Sequence, residues 1–245
     1  MTTLNTTVNG IADTTNLGLC DVALTRAIDR STSLPGMVCL YGPSGFGKSM
    51  AACYTANSHR AFYVQAKSVW TKAPMLKAIL REMGVTARST ISDMLDQVAE
   101  ELVLSGRPLI LDEMDHIVER NLVELVRDIY EASQTPILLI GEELLPNKLK
   151  KYERFHGRVL AWIPAQPVSF DDAQKLVQLY APNVEICDDL LNHIVEISGG
   201  SVRRVAVNLE LIQERAIANG WDSVDRRTWG KETLYTGEAP KRRLV

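Results

Sequence analysis

The stretch that decides the fold is Gly42-Pro43-Ser44-Gly45-Phe46-Gly47-Lys48-Ser49, which satisfies the pattern GxxxxGK[ST]. It follows the apolar run Met37 to Tyr41, which reads as a buried strand, and precedes a helical stretch from Lys48 to Ser58. In that setting the glycines let the backbone curl closely enough for successive N–H groups to point at phosphate oxygens, and the helix start adds a favourable dipole. Lys48 is placed to neutralise β- and γ-phosphates and the Ser49 hydroxyl to ligate Mg2+, with Met50 next along the same helix start. The expected ligands are ATP and Mg2+.

A second signal lies downstream, where the apolar run Pro108 to Leu111 ends in Asp112-Glu113. A carboxylate at the C-terminal end of a buried strand can hold Mg2+ through its water shell, the role expected of Asp112. Glu113 then lies beside the γ-phosphate, where it can orient and polarise an attacking water, which marks a hydrolase. Further apolar runs at Ala61 to Gln65, Ile137 to Ile140 and Val159 to Ile163 complete five strands. Helices are expected at about 20–31, 48–58, 74–83, 91–104 and 122–133. This alternation predicts an α/β fold with a parallel five-stranded sheet covered by helices on both faces. Past Pro164 and Pro167 the character changes, and residues 169–180, 188–197 and 202–219 read as helices with no strand pattern between them. The expected organisation is a flexible segment 1–16, a nucleotide-binding domain 17–165, a small helical lid 166–235 and a basic tail 236–245 carrying Lys241, Arg242 and Arg243.

Composition bounds the functional classes. The chain has 245 residues, 46% apolar and 23% charged, as in ordinary water-soluble globular proteins. Its longest aliphatic runs are too short to span a bilayer, and Met1 to Ala12 lacks the layout of a signal peptide, so neither secretion nor a membrane partner is expected. Cys20, Cys39, Cys53 and Cys187 form no CxxC pair and read as reduced core thiols. The net charge of −3 excludes a wholesale basic coat, so nucleic acid would be met by local patches.

The two motifs, the strand Ile137 to Ile140 with its polar end Gly141-Glu142-Glu143, the basic stretch to Arg158 and Gly199-Gly200-Ser201-Val202-Arg203 together resemble an AAA+ P-loop ATPase over about 17–220. Within that superfamily, 111–117 and 140–144 resemble the DNA-transposition ATPases, the group of phage Mu transposition protein B and the transposon target-selection ATPases. The resemblance implies that Arg158 is an arginine finger offered to a neighbouring subunit, with Arg154 in reserve. It implies equally that Arg203 is the lid's sensor arginine, with Arg204 beside it as an alternative. The first-sensor position, commonly Asn, Thr or Ser, reads here as Glu142 or Glu143. A homo-oligomeric ring or helical filament on double-stranded DNA is implied, bound without regard to sequence and recruiting a transposase, in the cytoplasm of a bacterial or phage-infected bacterial cell.

Two groups of cations are candidates for DNA phosphates. Lys67, Trp70, Lys72 and Lys77 follow the second strand, where related ATPases place loops lining a DNA channel. Lys148, Lys150, Lys151, Arg154 and Arg158 stand against a single acid, Glu153. Either group reads equally well as a solvated charged face. Two other functions fit the same motifs: a helicase loader or replication initiator, and an ATPase for protein assembly or secretion that ignores DNA.

Overall fold

The computed structural model describes residues 7, 8 and 10–238. In chain order its elements begin with β1 (Thr7–Val8), β2 (Ile11–Ala12), α1 (Thr15–Ile28), β3 (Met37–Tyr41), α2 (Lys48–Ser58), β4 (Phe62–Gln65) and α3 (Lys72–Glu82). There follow α4 (Ile91–Ser105), β5 (Leu109–Asp112), α5 (Met114–Glu119), α6 (Val123–Ser133), β6 (Ile137–Gly141), α7 (Leu145–Leu149), α8 (Glu153–His156) and β7 (Val159–Pro164). The chain continues through α9 (Phe170–Tyr180), β8 (Glu185–Ile186), α10 (Asp188–Ile197), α11 (Val202–Asn219), β9 (Ser223–Val224) and α12 (Arg226–Trp229). The described residues divide into two compact units. The first holds Asn16–Ser44 and Lys48–Ala165; the second holds the described residues up to Thr15, Gly45–Gly47 and those from Gln166 on.

In the first unit β3 to β7 form one sheet of order β4-β5-β6-β3-β7, and every neighbouring pair is parallel. All five strands therefore end at the same edge, and the loop after β3 lies one strand removed from the acidic end of β5, with β6 between them. Side chains alternate across the sheet. Met37, Cys39, Leu109, Leu111, Ile137 and Leu139 share one core with residues of α3, α4 and α6, including Met75, Ile79, Val98, Leu102, Val126 and Ile129. The intervening Val38, Leu40, Ile110, Leu138 and Ile140 are also buried, on the other face, against which α2 packs through its small residues Ala51 and Ala52. Burial on both faces explains why these strands read as unbroken apolar runs.

In the second unit α9, α10 and α11 enclose a separate core of Leu176, Leu190, Ile194, Val205, Leu209, Ile212 and Trp229. α9 starts in a capping box, with Ser169 Oγ accepting from Asp172 N–H at 3.0 Å and Asp172 Oδ2 accepting from Ser169 N–H at 3.1 Å. The other oxygen of Asp172 accepts from the Thr15 N–H at 2.8 Å and its hydroxyl at 3.1 Å, which ties the segment after β2 to α9. The expectation of helices alone needs one correction here. β8 and β9 form a short parallel ladder, Glu185 opposite Ser223 and Ile186 opposite Val224, and two-residue strands carry no readable period. Lys241, Arg242 and Arg243 of the basic tail lie outside the described residues.

Candidate nucleotide site

The loop after β3 owes its course to glycine. Gly45 and Gly47 have φ of +87° and +84°, a region costly for a side-chain-bearing residue. At Gly42 the constraint is contact instead of conformation, because a Cβ there would lie 2.9 Å from that of Ala165. Lys48, the first residue of α2, turns its ammonium back along the loop and donates to the carbonyls of Gly42 at 2.7 Å and Pro43 at 2.8 Å. Its burial holds its pKa below the ordinary lysine value, opposed by the negative charges of Asp112, Glu113, Glu142 and Asp115. A half-buried ammonium whose hydrogen bonds among the described residues go to neutral carbonyls has the charge to bind phosphate oxygens. Ser44, Ser49 and Met50 are exposed, whereas Phe46 is buried.

The acidic end of β5 is built from side chains. Asp112 is buried, its Oδ2 accepting from the Tyr63 hydroxyl at 2.7 Å and its Oδ1 from the Glu113 N–H at 2.8 Å. Tyr63 comes from β4, the neighbouring strand, and burial together with this bond pushes its own pKa well up, so it acts as a fixed donor. Glu113 itself sits at φ 56°, ψ 44°, left-handed backbone that a glutamate adopts only when its surroundings impose it. Burial first, and then repulsion from Asp112, raise its carboxyl pKa above the ordinary glutamate value. Ser49 and Asp112 offer hard oxygens of the type Mg2+ takes, so the residues present suit that ion.

Asp115, the second residue of α5, is also buried. Its Oδ2 accepts from the Glu142 N–H at 2.6 Å and its Oδ1 from Lys148 Nζ at 2.7 Å. Sequence reasoning missed both Tyr63 and Asp115. Only for Asp115 does the sequence carry a hint, a carboxylate placed between the apolar residues Met114 and Ile117.

Within the second unit, Gly45–Gly47 meet the start of α11. Ser201 Oγ donates to the Gly45 carbonyl at 3.4 Å, the Arg203 N–H donates to it at 3.3 Å, and a Cβ on Gly200 would lie 2.8 Å from the Phe46 ring. Arg203 is exposed. Arg204 instead donates to the Ser198 carbonyl at 3.4 Å and lies beside Gly237.

The remaining candidates lie elsewhere in the first unit. Arg158 precedes β7, at the opposite edge of the sheet from the phosphate loop, and its Nε is paired with Glu131 Oε1. A six-residue strand spans about 20 Å, so Arg158 cannot serve the loop of its own chain. Arg154 is exposed nearby. Lys67, Lys72 and Lys77 are exposed, but Trp70 is only 8% exposed and packs in the main core, so its ring offers no platform for a base. Lys148 leaves the basic surface group, since Asp115 holds it. Of the cysteines, Cys20 and Cys39 are buried, burial pushing the Cys20 thiol up to about 12, while Cys53 is exposed and Cys187 half-buried, so not all four are core thiols. Among the described residues no group of three or more His, Cys, Asp or Glu is arranged to hold a metal by itself, and no helix is long and apolar enough to cross a membrane.

Comparison with known proteins agrees with this architecture. Residues 30–149 match the model of a family described as an AAA domain. The Orc1 protein of Aeropyrum pernix, solved in complex with DNA, superposes with TM-score 0.61 at 19% identity, over 87% of this chain and 62% of that one. Cdc6p of Pyrobaculum aerophilum gives 0.62 at 17% identity, over 84% and 62%. The RuvB Holliday junction branch migration motor of Thermotoga maritima gives 0.57 at 20%, over 87% and 65%. The chain thus spans less than two thirds of the length of these solved chains. No curated protein sequence matches it. The fold is that of a P-loop AAA+ ATPase.

Proposed function

We propose that the protein binds ATP with Mg2+ at Gly42 to Met50 and hydrolyses it, with Lys48 on the phosphates, Ser49 and Asp112 on the metal and Glu113 activating water. The observation that carries this reading is the common edge of a parallel sheet at which the loop after β3 leads to Lys48 and β5 ends in the Asp112-Glu113 pair. Mg2+, when bound, screens phosphate charge. Glu113, with its raised pKa, is a better proton acceptor than a solvated glutamate once ionised. Arg203 serves as the sensor arginine. Arg158 acts in trans, so turnover depends on a homo-oligomer, ring or filament, and opening its pair with Glu131 is part of assembly.

In the finer reading the assembly forms on double-stranded DNA through Lys67, Lys72 and Lys77, whose ammonium groups meet backbone phosphates without reading sequence. There it serves DNA transposition, handing the occupied duplex to a transposase. Support for this finer reading comes from the stretches 111–117 and 140–144. A second reading, replication initiation or helicase loading, is favoured by the likeness in fold to Orc1 and Cdc6p.

Fluorescence anisotropy on random duplex and single-stranded DNA, with no nucleotide, ADP or a slowly hydrolysed ATP analogue at two salt concentrations, tests the DNA reading. Salt-sensitive duplex binding that needs the analogue, and falls in Lys67→Ala with Lys72→Ala, supports it. A preference for single strands moves the function to helicase loading, and no DNA binding in a protein that binds ATP moves it to protein-only assembly.

A further inference from the structure

Asp115 and Lys148 form an ion pair that the reading above does not use. Lys148 is 31% exposed at its side chain and Asp115 only 5%, so the carboxylate depends on this partner. The pair joins the short helix behind Glu113 to α7, and the second oxygen of Asp115 grips the backbone of Glu142, the first residue past β6. Gly141 leaves room for it: a Cβ there would stand 2.6 Å from Asp115 Oδ2 and would also strike Leu145. The loop so fixed is not remote from the chemistry. The negative charge of Glu142 acts on both Lys48 and Glu113, raising the proton affinity of each.

We propose that Asp115 and Lys148 are positioning residues that clamp the Glu142 loop to the helix that follows Glu113, so that the two carboxylates keep a fixed relation during hydrolysis. The inference rests on the reading of the site as an ATPase. Among the described residues neither Asp115 nor Lys148 hydrogen-bonds to Gly42–Ser44 or to Lys48; the clamped segment meets the phosphate loop through the Gly141 carbonyl, which accepts from the Gly42 N–H at 3.3 Å. Loss of the clamp should appear in turnover and not in nucleotide affinity, because displacing a catalytic group by about 1 Å can cost about 100-fold in rate.

The test measures kcat for ATP, Kd for a fluorescent slowly hydrolysed ATP analogue, and Tm, for wild type and four variants. Lys148→Met is expected to lower kcat about 10- to 100-fold with Kd unchanged within about threefold. Gly141→Ala should lower kcat as well, because its Cβ evicts the Asp115 carboxylate, and it is read for kcat alone, since the Gly141 carbonyl also accepts from the Gly42 N–H. Lys148→Arg should retain most of the rate, since a guanidinium can still donate to Asp115. The double variant Asp115→Asn, Lys148→Met removes both charges together, so it lacks the unpaired buried carboxylate that Lys148→Met leaves, and it should be as slow as Lys148→Met. Wild-type kcat in Lys148→Met, or a fall in kcat matched by an equal loss of affinity, overturns the clamp. If wild type hydrolyses ATP no faster than Glu113→Gln, the ATPase reading itself fails and the clamp with it.

Discussion

The loop after β3 and the edge formed by β5 and β6 are built by different means. In the loop, backbone does the work: glycines at positive φ shape it, and Lys48 is held by two carbonyls within its own turn. At the β5–β6 edge, side chains from distant parts of the chain do it: Tyr63 holds Asp112, and Asp115 holds Glu142 and Lys148. A site made from backbone conformation is encoded locally and tolerates little change of residue type. A site made from long-range side-chain bonds distributes its tolerance, so some of its parts can be altered with graded loss.

That contrast predicts unequal effects. Lys48→Ala removes the cation from the backbone-built half and should weaken ATP binding by about 10- to 100-fold, the worth of a charge-assisted bond to phosphate, as read by isothermal titration calorimetry. Gly47→Ala should cost roughly 1–2 kcal/mol from φ alone. Its Cβ would meet Val202 no closer than 3.6 Å, so crowding adds nothing and the loss can be read as a lower Tm. On the side-chain-built half, Tyr63→Phe frees one oxygen of Asp112 and leaves the Glu113 N–H on the other. The expected result is a several-fold higher Mg2+ requirement for hydrolysis at unchanged ATP affinity without metal, within the roughly 1.5–3 kcal/mol of a bond to a charged group. An unchanged Mg2+ requirement would remove Tyr63 from the site.

The smallest effect concerns pH. Because folding raises the Glu113 pKa, the native state binds more protons than the unfolded chain between the ordinary glutamate value and the raised one. This residue therefore lowers stability as pH rises through that window. Glu113→Gln should raise Tm relative to wild type at pH 7 and lose that advantage below the ordinary glutamate pKa. An advantage that grew at low pH would contradict the crowding of Glu113 with Asp112.

The two halves also differed in how far the sequence revealed them. The phosphate loop and the five strands were readable because each is a local pattern: fixed spacing of glycines and lysine in one case, continuous apolar runs demanded by burial on both faces in the other. Tyr63 and Asp115 were not. Their partners lie 49 and 27 or 33 positions away, and only the strand order β4-β5-β6 brings them together. Lys148 read as one more surface cation in a basic run because sequence does not show that a buried carboxylate waits for it. Trp70 read as a DNA candidate through the company of Lys67 and Lys72, yet Trp70 is the apolar residue that anchors that loop in the core. The two-residue ladder of β8 and β9 is too short to have any periodicity.

The most direct test of the account is hydrolysis and nucleotide binding measured side by side on Glu113→Gln, with purified protein, ATP and Mg2+. Glu113→Gln keeps the phosphate loop and Lys48 and loses only the ionisable oxygen proposed to activate water. The account predicts ATP affinity within about threefold of wild type and turnover lower by about 100-fold or more. Turnover at the wild-type rate in Glu113→Gln would contradict it.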